Sequence, residues 1–213
     1  MKRLRLLLAD DHDIVIEGLR RVLDEPGFEI VGEVKDGRSL LRVAERLQPD
    51  VIITDVTMPL LNGIEAVRQI RKSNKSVRIV FLTMHPDVTF ATEALAAGAS
   101  GYVLKDCAGE ELVTAIREAM KGCVYVTKSI AKAVKQAGAS RAKSWRRPLE
   151  TLTSRQREVL QLLAEGVQVK EIATRLHVSP RTVEFHKYRI MDELGMHTAA
   201  ELARYAVRHG IVT

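Results

Sequence analysis

Val51-Ile52-Ile53-Thr54-Asp55-Val56-Thr57-Met58-Pro59 is an apolar, β-branched run that ends in a carboxylate. Asn62-Gly63 and a helical pattern follow. A short run without polar alternation reads as a strand buried on both faces, the signature of a parallel sheet. Its carboxyl end then presents Asp55 at the edge where open α/β sheets bind ligands. An aspartate after a strand is also an ordinary turn or cap residue. The rest of the chain decides between the two.

Outward from this run the same alternation repeats. Strand-like runs occur at Leu4–Ala9, Phe28–Val34, Val51–Thr54, Val77–Thr83 and Gly101–Leu104. Helical patterns lie near 13–24, 37–47, 63–72, 87–97 and 109–121. In the last, Leu112, Val113, Ala115, Ile116, Ala119 and Met120 make one apolar stripe. Regular β-α alternation predicts a five-stranded, doubly wound parallel sheet with right-handed crossovers.

The residues after each strand carry the chemistry. Asp10 and Asp11 follow the first, Asp55 the third, Thr83 the fourth and Lys105 the fifth. If those strands are neighbours, these groups meet at one sheet edge. Three crowded carboxylates repel and need a cation. Oxygen ligands select a hard ion, and Mg2+ suits a site with few carboxylates. Lys105 adds a fixed positive charge. Phosphoryl transfer onto Asp55 fits this set, because a carboxylate attacks phosphorus to give an acyl phosphate. The cations neutralise the transferring oxygens and the Thr83 hydroxyl donates to one. Taken singly, Lys105 also reads as a solvated loop lysine and Thr83 as an edge hydroxyl.

Residues 1–122 resemble the receiver domain of two-component response regulators. The matching pieces are Leu7-Leu8-Ala9-Asp10-Asp11, Asp55-Val56-Thr57-Met58-Pro59, Leu82-Thr83-Met84 and Gly98-Ala99-Ser100-Gly101-Tyr102-Val103-Leu104-Lys105. The resemblance implies that a sensor histidine kinase phosphorylates Asp55. It implies Mg2+ on Asp11, Asp55 and the Thr57 carbonyl, with Asp10 assisting through water. It makes Thr83 and Tyr102 a switch pair, Thr83 swinging to the phosphate and Tyr102 turning inward behind it. A phosphate that gives Thr83 a new partner can bias a two-state surface around 83–105. His85 reads either as an exposed loop residue or as a tuner of dephosphorylation.

Length, charge and cysteines bound the rest. At 213 residues the chain suits one large domain or two small ones. No apolar run reaches membrane-span length, and Met1–Leu6 reads as the start of a strand rather than a signal peptide. Cys107 and Cys123 are too few for a disulfide framework or zinc site and read as reduced packing residues of a cytoplasmic protein. The net charge of +6 divides into −2 over residues 1–122 and +8 over 123–213. That segregation points the rear of the chain toward a polyanion.

Residues 123–148 read as a helical connector and basic linker. Thr127–Ala137 has helical spacing, with Ile130, Ala133, Val134 and Ala137 on one side. Gly138–Pro148 mixes small, polar and basic residues. Trp145 reads as resting against the next helix, with docking of one domain on the other as the alternative, and the basic run either touches DNA phosphates or stays solvated.

Residues 149–213 read as a small all-α domain. Thr153 with Gln156 and Thr198 with Glu201 form capping boxes, and Gly166, Gly195 and Gly210 end helices. A further helix runs near Val169–Leu176, and Ser179-Pro180 starts the third. On that helix Val183, Ile190 and Leu194 share one face while Arg181, Phe185 and Tyr188 point the other way. Exposed aromatics beside arginine call for a partner. The candidate DNA contacts are Ser179, Arg181, Thr182, Glu184, Phe185, Lys187 and Tyr188. Arg181 and Lys187 would hold phosphates, Glu184 would accept from cytosine and Phe185 would touch a thymine methyl. The other reading packs Phe185 and Tyr188 on a neighbouring helix or domain.

This segment is similar to the LuxR-type helix-turn-helix of NarL/FixJ-family regulators. Leu152–Leu160, Glu171-Ile172-Ala173, Leu176–Ser179 and Thr182–His186 carry the likeness. Gln156 departs from the usual glutamate, and His177 stands in a turn where the pattern is loose. The resemblance implies double-stranded DNA as partner, a homodimer when phosphorylated, and a dimer face on Leu202, Ala206 and Val207. Ordinary core packing is the other reading of those three. The chain as a whole reads as a phosphorylation-controlled transcription factor and not an enzyme. A regulator that binds DNA regardless of phosphate is the alternative. An aspartyl-phosphate phosphatase of the haloacid dehalogenase type needs a second aspartate where Thr57 stands, and leaves the rear domain unexplained.

Overall fold

A computed structural model describes residues 3–140 and 152–212. The basic run and Trp145, at 141–148, lie outside the described residues. Two compact units divide between Lys143 and Ser144.

The front unit is a parallel sheet flanked by helices. In chain order it runs β1 (Leu4–Ala9), α1 (Asp13–Val22), β2 (Phe28–Val34), α2 (Gly37–Leu47), β3 (Val51–Thr54), α3 (Gly63–Ser73), β4 (Arg78–Thr83), α4 (Val88–Ala96), β5 (Gly101–Leu104), α5 (Ala108–Met120), β6 (Tyr125–Val126) and α6 (Lys128–Ser140). A short 3-10 turn, Lys105–Cys107, joins β5 to α5. The sheet order is β2-β1-β3-β4-β5-β6. All pairings are parallel. Five of these strands match the expectation. The sixth is two residues long, too short to show periodicity in sequence.

Alternation along the strands builds two cores. Leu7, Ile52, Ile79, Phe81 and Tyr102 pack on the face that includes Leu40, Ile64, Ile70, Phe90 and Ala94. Leu6, Leu8, Val51, Ile53, Val80 and Leu82 pack on the face of Ile16, Leu19, Leu112 and Ile116. Burial on both faces is why these runs are apolar throughout. Each buried leucine or isoleucine contributes about 1.5–3 kcal/mol. Side-chain caps set the helix starts. Asp36 accepts from Ser39 N, Asn62 from Glu65 N and Asp87 from Thr89 N, each worth about 1 kcal/mol.

The connector helix is present, and it belongs to the front unit. Ile130 and Val134 of α6 are buried in the same core as Tyr102, Phe90 and Ala94. Its apolar stripe has a home, which is why α6 docks there and does not stand free.

The rear unit holds α7 (Ser154–Ala164), α8 (Val169–Leu176), α9 (Pro180–Leu194) and α10 (Ala199–Arg208). Both expected capping boxes are formed. Gly195 ends α9 at φ +64, a left-handed conformation that glycine adopts freely. Val159, Leu160, Ile172, Leu176, Val183, Ile190, Leu202 and Ala206 are buried. His177 closes α8 in the left-handed region at φ +53, so the departure noted there carries backbone strain of about 1 kcal/mol or more.

Candidate functional site

The sheet order sets β1, β3, β4 and β5 side by side, so the residues after them converge. The Lys105 ammonium lies 2.7 Å from Asp55 Oδ2 and 2.7 Å from Asp10 Oδ2. Burial works against its charge, but Asp55 and Asp10 outweigh that and raise its pKa above the usual lysine value. Asp55 Oδ1 accepts from Val56 N at 2.5 Å. Asp10 Oδ1 accepts from His12 N at 3.0 Å. Asp55 and Asp10 are both buried.

Asp11 Oδ1 is a buried oxygen. His12 Nδ1 lies 3.1 Å from it and 3.1 Å from Asp10 Oδ1. Ligand atoms of Asp10, Asp11, His12 and Asp55 all fall within 4.8 Å of one another. Carboxylate oxygens gathered this closely and partly buried repel, and are costly without a cation. The donor set therefore suits a bound metal.

Gly63 closes the floor of this site. A Cβ there would lie 1.9 Å from the Asp55 carbonyl oxygen, so only glycine lets α3 start this close to Asp55. Its amide donates to Val56 O at 2.8 Å.

His85 ties the site to the sheet behind it. The Tyr102 hydroxyl donates to the His85 carbonyl at 2.8 Å. His85 N donates to Thr83 Oγ1 at 3.3 Å. His85 Nε2 lies 2.9 Å from Thr57 Oγ1, and the ring packs on Phe90 with centroids 4.9 Å apart. Thr83 and Tyr102 are fully buried. Burial, then the negative charges of Asp55 and Asp87, push the Tyr102 phenol far above its usual pKa, so it stays a donor.

In the rear unit the start of α9 is organised by Ser179. Its side chain accepts from Thr182 N at 3.1 Å and pairs with Thr182 Oγ1 at 2.8 Å. Arg181 is exposed. Phe185 and Tyr188 are 61% and 67% exposed. Lys187 pairs with Glu184 at 3.6 Å. Val183 and Ile190 face inward.

These two surfaces match two known families. Residues 6–117 match the response regulator receiver domain. Residues 150–206 match the bacterial regulatory proteins of the luxR family. Over 211 residues the chain is 34% identical to the response regulator UvrY of Escherichia coli K12, covering 98% of this chain and 95% of that one. It is 36% identical over 212 residues to the response regulator GacA of Pseudomonas aeruginosa, covering 98% of each. This chain is a response regulator of the NarL/FixJ family.

Among solved structures, the response regulator is similar to RcsB of Salmonella typhimurium, at 30% identity and TM-score 0.67 over 98% of this chain and 99% of that one. RcsB bound to a promoter in the presence of the phosphomimetic BeF3- matches at 30% identity and TM-score 0.63, covering 96% and 98%. The regulator is thus a two-component, DNA-binding transcription factor rather than an enzyme. A receiver domain implies a kinase partner. Among the described residues no helix is long and apolar enough to cross a membrane.

The regulator's structure brings Asp10, Asp11, Asp55, Thr83 and Lys105 to one edge, with Thr57 joined to them through His85. It corrects two expectations. Leu202 and Ala206 are 1% and 0% exposed, packed inside the rear unit, so neither offers a dimer surface; Val207 is 54% exposed. Phe185 and Tyr188 stay exposed among the described residues of their unit. Cys123 is exposed and not a packing residue, while Cys107 is half-buried; both are free thiols. His12 was missed as a member of the acidic cluster, although its place directly after Asp10-Asp11 was the available signal.

Proposed function

We propose that Asp55 takes a phosphoryl group from a sensor histidine kinase and that this controls dimerisation and DNA binding. The observation that carries the reading is the Lys105 ammonium set 2.7 Å from both Asp55 and Asp10. That places fixed positive charge where a phosphoryl oxygen would sit. An Asp55 carboxylate oxygen bonds to phosphorus, the phosphorus–nitrogen bond of the donor histidine breaks, and the electron pair stays on the imidazole, which takes a proton. Thr83 donates its hydroxyl to one phosphoryl oxygen, Lys105 pairs with another, and Tyr102 lines the space behind Thr83. Mg2+ on Asp11, Asp55 and the Thr57 carbonyl, with Asp10 through water, would neutralise the remaining charge; the clustering of the Asp10, Asp11 and Asp55 oxygens supports this ligand set.

The output is double-stranded DNA binding by α9. Ser179, Arg181, Thr182, Glu184, Phe185, Lys187 and Tyr188 form the contact surface, and the exposure of the two aromatics supports it. Solved structures of RcsB include dimers on DNA, which supports a homodimer here on two-fold sites. The protein works in the cytoplasm. Its receiver spans 1–122, its connector 123–148 and its DNA-binding domain 149–213.

Intact mass after incubation with acetyl phosphate and Mg2+ tests this, followed by sizing. One added phosphoryl group, absent in Asp55→Asn, with a shift toward dimer is expected. No added group from either acetyl phosphate or a kinase would overturn it. DNA footprints that are the same with and without phosphate would leave a regulator that acts independently of phosphorylation.

A further inference from the structure

Thr127 sits between β6 and α6 and is 1% exposed. Its amide donates to the Tyr102 carbonyl at 2.9 Å. Its hydroxyl accepts from the Leu104 amide at 3.0 Å. Its carbonyl accepts from the amides of Ile130 and Ala131, both at 3.1 Å, and so starts α6. One residue thus holds β5 at two points and the connector helix at a third.

The two points on β5 matter. Tyr102 is the inward tyrosine bonded to His85. Leu104 directly precedes Lys105, whose ammonium reaches Asp55 and Asp10. The β5·β6 ladder pairs Gly101 with Tyr125 and Tyr102 with Val126, and then stops. Past that point β6 offers no further backbone acceptor for the Leu104 amide. The Thr127 hydroxyl takes over and carries the pairing one step further. A buried amide without an acceptor is costly, and the end of β5 would shift to find one. Lys105 is the next residue, and charge-assisted bonds of 2.7 Å tolerate only a few tenths of an ångström before weakening.

We infer that Thr127 is a positioning residue of the phosphoacceptor site, acting through Leu104 on Lys105, and that it fastens the connector helix to that site. The inference rests on Asp55 being the phosphorylated residue. Ile130 and Val134, buried in the same core as Tyr102 and Phe90, keep the helix start from relaxing on its own. Any displacement of β5 on phosphorylation therefore reaches the first turn of α6 through one side chain and its own peptide groups.

The test compares full-length wild type, Thr127→Val and Thr127→Ser. Initial rates of acyl-phosphate formation from acetyl phosphate with Mg2+ are read by intact mass, alongside thermal unfolding. Thr127→Val keeps the shape and removes the acceptor, so its rate should fall about tenfold. Thr127→Ser restores the acceptor and should stay within about twofold of wild type. A Thr127→Val protein phosphorylated at the wild-type rate, even with a lowered midpoint, overturns the inference, because the threonine is then only structural. Should Thr127→Val fail to fold, hydrogen exchange on the wild type decides. The amides of Leu104, Ile130 and Ala131 should change protection together on adding beryllofluoride, and unchanged protection overturns the inference. A wild type that takes no phosphoryl group overturns the reading of Asp55 itself, a distinguishable failure.

Discussion

The Tyr102 hydroxyl donates to the main-chain carbonyl of His85 across 2.8 Å, from the middle of one strand to the loop after its neighbour. That neighbouring strand ends in Thr83, whose Oγ1 accepts from His85 N. A movement of Thr83 toward a phosphate on Asp55 therefore strains or shifts a bond that Tyr102 makes. Tyr102→Phe keeps the ring and removes the donor. The front unit should lose about 1 kcal/mol in denaturant unfolding. The gain in DNA affinity on adding beryllofluoride should shrink in the same variant, and an unchanged gain would separate Tyr102 from the switch.

Lys105 neutralises two buried carboxylates at once. Lys105→Ala removes the charge that a transferring phosphoryl group would meet. Acyl-phosphate formation should fall on the order of a hundredfold, the scale for losing one such donor. A rate within threefold of wild type would show that the remaining groups suffice.

The exposed side of α9 makes a double prediction. Arg181→Ala should weaken DNA binding of every sequence alike and reduce the salt slope by about 1. Phe185→Ala should relax selectivity at one base pair, the loss of affinity being confined to sites with thymine there. Both residues are exposed, so unfolding midpoints should stay within about 0.5 kcal/mol of wild type. A large stability loss would mean that Phe185 packs within the protein.

Histidine 186 gives a pH test in the same helix. Burial first, and Arg155 second, hold the His186 pKa below its usual 6.5. The folded state then binds fewer protons at this site than the unfolded one. The contribution to stability is full above pH 6.5 and is lost as pH falls through the lowered value. An NMR titration should place His186 below 6.5, and His186→Gln should flatten unfolding midpoints over that window. A midpoint below pH 6.5 that is as steep without His186 would contradict the assignment.

Leu202 and Val207 share α10 and have opposite fates. Leu202→Ala empties a buried position and should cost about 2–5 kcal/mol. Val207→Asp changes an exposed side chain and should leave folding alone while weakening cooperative binding to paired half-sites. Unchanged cooperativity in Val207→Asp would move the dimer contact off this helix.

The amino-acid sequence by itself determined five of the strands, the caps of the rear helices and the residues that follow each strand. These are local: an apolar run ends where a carboxylate or glycine begins, and Thr153 or Ser179 needs only its own next turn to cap a helix. Asp10, Asp55, Thr83 and Lys105 were legible because a parallel sheet puts the ends of neighbouring strands together whatever their spacing in the chain. Only the tertiary structure decided which side of α10 is buried, that α6 docks on α4 and β5, and that Thr127 extends β6 by one hydrogen bond. Those outcomes depend on contacts between elements distant in sequence. A stripe of alanine, leucine and valine fits a dimer face and a core equally well until its neighbours are in place. A lone threonine shows nothing of its partner until a strand ends beside it.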